Sequence, residues 1–144
     1  MELHVKRFDE LTVYELYEIL KLRSSVFVVE QQSRYLDMDD KDQDALHVFM
    51  THGGELAACL RILSKGFSPG EVKITRVISA KRHAGTGSAI VREGIRIAKS
   101  ELGAKRIKIA AQTYTKEFYE RLGFVKVSDE YLIDEIPHIN MILE

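Results

Sequence analysis

The most informative stretch of this sequence is residues 72–91, which read VKITRVISAKRHAGTGSAIV. The first eight residues are rich in β-branched side chains, and this pattern predicts a buried strand from Val72 to Ser79. From Gly87 onward the apolar residues recur at helical spacing and predict a long amphipathic helix that ends near Gly103. A turn containing Gly85 joins the two. The stretch therefore predicts a strand that leads through a glycine-bearing turn directly into a helix.

This arrangement is suited to binding a phosphate group. The first turn of a helix has backbone N–H groups without intrahelical partners, and the helix dipole adds a partial positive charge there. Gly85 and Gly87 allow backbone conformations with positive φ, and they allow close approach of a ligand that a Cβ atom would obstruct. We therefore predict a phosphate-bearing ligand at this turn.

Two common nucleotide-binding loops do not fit the sequence. A Walker-type loop requires Gly-x-x-x-x-Gly-Lys followed by Ser or Thr, and the chain contains no such run. In the dinucleotide fingerprint, Gly85-x-Gly87 would form the first half, but Ile90 stands at the third glycine position. The following predicted strand, residues 107–111, also lacks the acidic residue that binds the ribose. Both classes of nucleotide site are disfavoured.

The rest of the chain alternates predicted strands and helices. A capping-box pattern at Thr12 starts a helix with one apolar face up to about Val28. The residues of this predicted face are Val13, Leu16, Tyr17, Ile19, Leu20, Leu22 and Val26. The predicted order is β α β β β α β α β β, which favours a mixed α/β sheet over an all-α or all-β fold. The other predicted strands cover residues 3–7, 46–51, 56–63, 107–111, 124–127 and 136–143, and a short helix covers residues 115–122.

Composition narrows the class of protein. At 144 residues with 45% hydrophobic residues, the chain predicts one domain, residues 1–144. The 21 basic and 22 acidic residues give a net charge of -1, which argues against nucleic acid as a partner. No signal sequence and no run of about 20 apolar residues is present, so we predict a soluble, cytoplasmic protein without a membrane partner. The single cysteine, Cys59, is predicted to be a buried structural residue.

Two motifs resemble those of the GNAT superfamily of acetyltransferases. Arg82-x-x-Gly85-x-Gly87 after a strand is similar to the pyrophosphate loop of that family. Residues 116–125, KEFYERLGFV, are similar to a later family motif in which an aromatic pair on a short helix precedes Leu-Gly-Phe. Further parts of the chain resemble the ElaA-type branch of the family. These parts are residues 23–31, the acid-rich segment that ends at Asp44, His47 and residues 136–141. The resemblance covers nearly the whole chain.

This resemblance implies a fold and a co-substrate. The implied fold is a single-domain, GNAT-like α/β fold with a mixed, mostly antiparallel sheet flanked by helices. The implied co-substrate is acetyl-CoA, and the implied acceptor is a small-molecule or peptide amine that receives the acetyl group directly, with no metal. We expect a monomer or a homodimer. The residues expected to bind coenzyme A are Val77, Ile78, Arg82, His83, Ala84, Gly85, Thr86, Gly87 and Ser88.

Two residues are candidates for acid–base chemistry. Tyr119 is the candidate acid, because a phenol is protonated at pH 7 and can donate its proton to a departing thiolate, and the family motif also has its acid at this position. Its alternative role is that of a core aromatic residue beside Phe118. His138 is the candidate base, because imidazole titrates near neutral pH and Pro137 restricts the neighbouring backbone. The alternative for His138 is a structural role in a strand.

Four further residues are candidates for binding the acceptor. Glu30 ends the first helical region and can bind an ammonium group, while His47 follows the acid-rich segment and can face the same cleft. Arg61 and Arg76 occupy strand positions where an unpaired charge would be costly. They therefore bind either an anionic acceptor or an internal carboxylate.

The acid-rich segment, residues 31–44, does not fit a calcium loop. An EF-hand starting at Asp37 would have Asp42 instead of glycine at its sixth position and Val48 instead of glutamate at its twelfth. We predict a loop with solvated charges and no bound metal, and the alternative is a lip of the site that attracts a cationic acceptor.

Two other classes of function remain as alternatives. A non-catalytic acyl-CoA-binding or sensing module would need Arg82, Gly85 and Gly87 but not Tyr119 or His138. A structural interaction domain would not bind coenzyme A.

Overall fold

An eight-stranded sheet forms the centre of the protein in the computed structural model, which describes residues 1–31, 36–80 and 85–144. For Val28 and Glu30 the description covers the backbone only. The strands are β1 Glu2–Arg7, β2 Leu46–His52, β3 Glu55–Leu63, β4 Glu71–Ser79, β5 Arg106–Gln112, β6 Val125–Lys126, β7 Tyr131–Ile133 and β8 Ile136–Leu143. The α-helices in these ranges are α1 Val13–Arg23, α2 Thr86–Glu101 and α3 Lys116–Arg121.

The strands follow the order β1-β2-β3-β4-β5-β8-β6, and β7 pairs with β8. The β4–β5 pair is parallel and the other pairs are antiparallel. Alternate residues of β3 enter different cores: Leu60 packs with the buried residues of α2, whereas Cys59 packs with Ile19 of α1. Because successive side chains of a strand point to opposite faces, α1 and α2 cover opposite faces of the sheet. The predicted mixed, mostly antiparallel sheet flanked by helices is confirmed.

The first helical region differs from the prediction in its hydrogen bonding. Thr12 caps α1 by accepting a hydrogen bond from the Glu15 amide, as its capping box predicts. After α1 the chain continues as a π-helix, Ser24–Glu30, instead of one uninterrupted α-helix. Val13 and Tyr17 are 75% and 66% exposed, so the predicted apolar face is wrong at these two positions. No helix in the described ranges is long and apolar enough to cross a membrane.

The C-terminal region contains one strand that the sequence pattern did not predict. The strand expected over residues 124–127 is only two residues long, and β7 follows it. Asp134 and Glu135 both have positive φ and form the two-residue turn between β7 and β8. Turns of this kind usually contain Asn or Gly, so Asp-Glu gave no recognisable hairpin signal.

Candidate functional site

A cleft opens where β4 and β5 part. The two parallel strands are paired only between residues 71–73 and 106–108, although β4 continues to Ser79 and β5 to Gln112. A cleft of about 1070 Å³ lies beyond the last pair, and residues of both strands line it. The sheet therefore provides a deep site between two strands, at their C-terminal ends.

Strand β4 carries a bulge beside this cleft. Its register against β3 moves from Ile78 to Thr75 while β3 advances only from Cys59 to Arg61, so that Arg76 and Val77 together stand opposite Leu60. Arg76 has a φ of 56°, in the left-handed region that residues other than glycine rarely adopt. Arg76, Val77 and Ile78 all line the cleft. A bulge interrupts the regular backbone ladder and changes the local direction of the strand beside the cleft.

The N-terminus of α2 is suited to binding an anion. Its N-cap is Gly85, with a φ of 86°, and glycine has no side chain that could cap the first-turn amides. The Thr86 hydroxyl lies 2.6 Å from the Ser79 hydroxyl, which connects the start of α2 to the end of β4. A Cβ at Gly87 would lie in ordinary van der Waals contact with Phe118 and Ser79, at 3.8 Å, without a clash. These features fit a phosphate group.

Tyr119 lines the cleft from α3. Its ring packs edge-on against Phe118, with ring centroids 5.0 Å apart, and against Phe124 at 5.7 Å. Burial raises the pKa of Tyr119 to about 12, with a smaller contribution from Tyr114. Its hydroxyl makes no hydrogen bond to the described residues. The phenol is therefore protonated at neutral pH, and its proton is available.

His138 lies on β8 and lines the same cleft. Its Nδ1 is 2.7 Å from the carbonyl oxygen of Ile136. Because a carbonyl only accepts hydrogen bonds, Nδ1 carries the hydrogen and the neutral ring keeps a lone pair on Nε2. The register partner of His138 on β5 is Gln112, whose side-chain amide donates to Gln31 at 3.0 Å. The ring of Tyr131 stacks beside the imidazole at 6.2 Å.

Comparison with known proteins assigns the family. The family model described as "Acetyltransferase (GNAT) domain" matches residues 13–144. The chain belongs to the GNAT acetyltransferase family. ElaA of Escherichia coli is 36% identical to this GNAT protein over 140 residues, which cover 94% of this chain and 92% of ElaA. The crystal structure of E. coli ElaA covers 99% of both chains, at 33% identity and a TM-score of 0.92.

A second solved structure agrees with this assignment. An acyl-CoA N-acyltransferase from Pseudomonas aeruginosa covers 100% of both chains, at 35% identity and a TM-score of 0.93. The GNAT fold implies an acyl-CoA donor and an amine acceptor. The resemblance to the GNAT superfamily and its ElaA-type branch, which the sequence motifs predicted, is confirmed.

The GNAT cleft does not include every predicted acceptor residue. Neither His47 nor Arg61 lines it. His47 is 2% exposed, and its Nε2 donates to the carbonyl oxygen of Asp42 at 2.8 Å. Burial lowers the pKa of His47, although contact with Asp42 partly opposes this. The expectation that His47 faces the cleft is therefore wrong, because the ring is neutral, buried and bound to the neighbouring loop.

Several predicted site residues lie outside the described part of this GNAT chain. Arg82, His83 and Ala84 fall between the described ranges, and the side chain of Glu30 is not described. Their predicted contacts with coenzyme A or with the acceptor stay predictions. The other residues of the predicted phosphate turn, 85–88, form the N-cap and first turn of α2.

The acid-rich segment takes part in a closed ring of ion pairs, which we call the Asp–Arg ring. The guanidinium nitrogen and carboxylate oxygen atoms of neighbouring residues in the ring lie 2.6–3.5 Å apart, and three positive and three negative formal charges cancel. Asp37 and Asp42 are only 4% and 6% exposed, so the prediction of solvated charges is wrong for them. Arg61 and Arg76 were predicted to bind either an anionic acceptor or an internal carboxylate, and in the structure both bind internal carboxylates of the ring. Its members, in order around the ring, are Arg23, Asp37, Arg76, Asp39, Arg61 and Asp42.

The ion pairs lower the pKa values of two ring carboxylates, those of Asp42 and Asp39. Burial raises the pKa of Asp42, but hydrogen bonds from Arg23 and Arg61 outweigh burial and lower the pKa below its ordinary value. Burial also raises the pKa of Asp39, but the hydrogen bonds and the charge of Arg61 outweigh burial and lower this pKa below its ordinary value. Arg23 and the three aspartates were not recognisable from the sequence as ring members, because hydrogen-bonded partners are 14 to 39 residues apart in the chain. The only available signal was a charge at the strand positions of Arg61 and Arg76.

Asp42 provides a test of what the ring contributes to stability. Replacing Asp42 with alanine leaves the buried guanidinium groups of Arg23 and Arg61 without a shared partner. We expect the free energy of unfolding, measured by urea titration, to fall by about 3–5 kcal/mol. Asp44 is the matched control, because it pairs with Lys65 in a largely exposed ion pair. Asp44→Ala should cost about 0–1 kcal/mol. Equal losses in the two variants would contradict a stabilising role for the ring.

Proposed function

We propose that this protein is an N-acetyltransferase that uses acetyl-CoA and transfers the acetyl group directly to an amine. The observation that carries the proposal is the meeting of three groups in one cleft: the bulged backbone at Val77, the phenol of Tyr119 and the imidazole of His138. Forming an amide from a thioester needs a donor to the oxyanion, an acid for the thiolate and a base for the amine. These three groups match the three tasks.

The start of α2 holds the pyrophosphate of acetyl-CoA. Residues 85–88 present first-turn amides and the positive end of the helix dipole to the pyrophosphate. Gly85 in the left-handed conformation, with no side chain to cap the first-turn amides, is consistent with this role. Val77 and Ile78 lie along the pantetheine arm. Acetyl-CoA supplies the thioester carbonyl that the amine attacks.

Each residue then performs one step of the transfer. As the nitrogen–carbon bond forms and the carbon–sulfur bond breaks, the Val77 amide donates a hydrogen bond to the oxyanion, an interaction of about 3 kcal/mol. Tyr119 gives its phenolic proton to the departing thiolate. His138 accepts a proton from the amine at Nε2. One proton is given and one is taken, and exchange with solvent restores both side chains between turnovers.

Direct transfer is supported by the position of the single cysteine. Cys59 is 2% exposed and packs with Ile19, Phe49 and Ile78. Burial raises the pKa of its thiol to about 12, so the thiolate is absent at neutral pH. The thiol therefore has neither the access nor the ionisation that an acyl carrier needs.

The alternative function is that of a non-catalytic acyl-CoA-binding or sensing module. Such a module needs the phosphate turn and the cleft between β4 and β5, but it needs neither an acid nor a base. The presence of Tyr119 and His138 in the same cleft favours the enzyme.

An amine panel tests the proposal. Release of free thiol from acetyl-CoA is measured with small polyamines, aminoglycosides, amino acids and lysine-containing peptides, and mass spectrometry detects the added acetyl group. We expect at least one amine class to be acetylated. Stabilisation by coenzyme A without acetylation of any amine would indicate the binding module, and absence of stabilisation would indicate a structural domain.

Gly87→Val is expected to abolish the rise in melting temperature that coenzyme A causes. A Cβ at this position would lie in ordinary van der Waals contact with Phe118 and Ser79, both at 3.8 Å, and Gly87 does not have the positive φ of Gly85, so the fold accepts the substitution. The added side chain instead occupies the space that we assign to the phosphate. Melting temperature with and without coenzyme A, followed by differential scanning fluorimetry, measures the effect.

Ser100→Val is the matched control for this variant. It adds a β-branched side chain at the exposed C-terminal end of the same helix, and the response to coenzyme A should be that of the wild type. A folded Gly87→Val protein that keeps the full response would show that the phosphates bind elsewhere.

A further inference from the structure

Arg76 has an unusual backbone conformation for a residue in a strand. Its φ of 56° lies in the left-handed region, where the Cβ of any residue other than glycine is unfavourable. Such a residue remains in this conformation only where its surroundings hold it there. The bulge of β4 at Arg76 and Val77 therefore depends on contacts made elsewhere.

The side chain of Arg76 makes those contacts. Its Nε donates to Asp37 Oδ1 at 2.9 Å, and one Nη donates to the Asp37 carbonyl oxygen at 3.1 Å. The guanidinium group also lies 5.8 Å from the centre of the Phe27 ring, on the π-helix. The Arg76 side chain is only 17% exposed. The acid-rich segment and the π-helix thus both hold this arginine.

Asp37 is itself fixed from the opposite side. Arg23 of α1 donates to Asp37 Oδ2 at 3.0 Å and to its carbonyl oxygen at 3.0 Å. The side chain of Arg23 is 2% exposed and that of Asp37 is 5% exposed. Each carboxylate oxygen of Asp37 therefore binds a different guanidinium group. The buried Arg23 keeps Asp37 in place as a fixed anchor for Arg76.

We propose that Asp37 and Arg76 are positioning residues for acetyl transfer. Their ion pair holds the bulge of β4 in its left-handed conformation and thereby fixes the direction of the Val77 amide. The inference rests on the proposed function, in which that amide donates to the oxyanion. Neither residue needs to touch the acetyl group or the amine. Without the ion pair, a residue with a Cβ at position 76 relaxes toward an ordinary strand conformation and moves the amide.

Two substitutions at one position separate positioning from direct binding of the acceptor. Arg76→Ala removes the guanidinium group and leaves the unfavourable Cβ. Arg76→Gly removes the same group, but glycine adopts a positive φ without strain. If the ion pair acts by holding the backbone, the alanine variant should have a kcat about 5- to 30-fold below that of the glycine variant, with similar KM values for the acceptor. The assay uses the best amine from the panel.

Amide hydrogen exchange of residues 72–79 provides a readout that does not depend on activity. We expect faster exchange in Arg76→Ala than in Arg76→Gly, because only the alanine variant has a strained backbone that is no longer held. Arg96→Ala is the control, since it removes an exposed arginine that pairs with Glu93 on α2. It should change neither kcat nor the exchange of residues 72–79.

Equal kcat losses in the two variants, or a raised KM for the acceptor with unchanged kcat, would overturn the proposal and indicate that Arg76 binds the acceptor. Loss of folding in both variants would also overturn the proposal, whereas loss of folding in the alanine variant alone would support it. If no amine is acetylated by the wild type, the proposed function fails. Amide exchange then decides separately whether the ion pair holds the bulge.

Discussion

Tyr119→Phe is expected to lower the rate of acetyl transfer by about 10²–10⁴-fold, the range of general acid–base residues. The substitution removes only the hydroxyl group. The edge-on packing against Phe118 and Phe124 is retained, so stability and affinity for coenzyme A should change little. Because the pKa of Tyr119 is raised to about 12, its proton is present throughout the accessible pH range. Single-turnover release of thiol, with the acceptor from the panel, measures the rate.

Tyr114→Phe is the matched control for this prediction. Tyr114 also lines the cleft, but it is 79% exposed, and its removal should leave the rate within a few-fold of the wild type. Unchanged turnover in Tyr119→Phe would identify Tyr119 as a core aromatic residue. The thiolate would then receive its proton from water or from another group.

His138→Ala is expected to lower kcat by about 10²-fold or more and to change the pH profile. The bond from Nδ1 to Ile136 leaves the lone pair of the neutral ring on Nε2, and only this neutral form accepts a proton. Wild-type activity should therefore rise with pH and then level off. In His138→Ala this ascending limb should be shifted or lost. The measurement is kcat against pH for both proteins with the same amine.

His47 is the control for the assignment of the base. Its ring is buried and donates to Asp42, so His47→Ala should lower stability and leave the ascending limb in place. An amine that loses its own proton would produce a similar rise in the wild type, and for this reason the comparison of variants is decisive. If His138→Ala keeps the wild-type rate and pH profile, His138 is a structural residue and the base has been assigned wrongly.

Local patterns in the sequence predicted the secondary structure beside the cleft well. A strand, a glycine turn and a helix are encoded within residues 72–91, and the structure has β4, Gly85 and α2 in this order. Tyr119 was predicted as a site residue because the family motif fixes its position on a short helix, and it lines the cleft. These features depend on residues that are close together in the chain, and such features are the ones that a sequence pattern specifies.

Features that depend on distant residues were not predictable in this way. The bulge at Arg76 arises from pairing with β3 and from an ion pair to Asp37, and neither alters the apolar pattern of β4. The acid-rich segment looked solvated, because nothing nearby in the sequence indicates that Arg23 is buried beside it. The π-helix was missed because the spacing of apolar residues does not distinguish it from an α-helix.

The short pairing between β4 and β5 has a mechanical consequence. Val77 lies on β4, and His138 lies on β8, which pairs with β5. The distance between the two residues therefore depends on the angle at which β4 and β5 diverge. Within the described sheet, the two strands are paired only at residues 71–73 and 106–108, where Glu71 Oε2 lies 3.7 Å from Arg106 Nη1 and 3.3 Å from Lys108 Nζ. We therefore expect a substitution at Glu71, which does not line the cleft, to alter the spacing of the groups to which we assign the oxyanion and the amine proton.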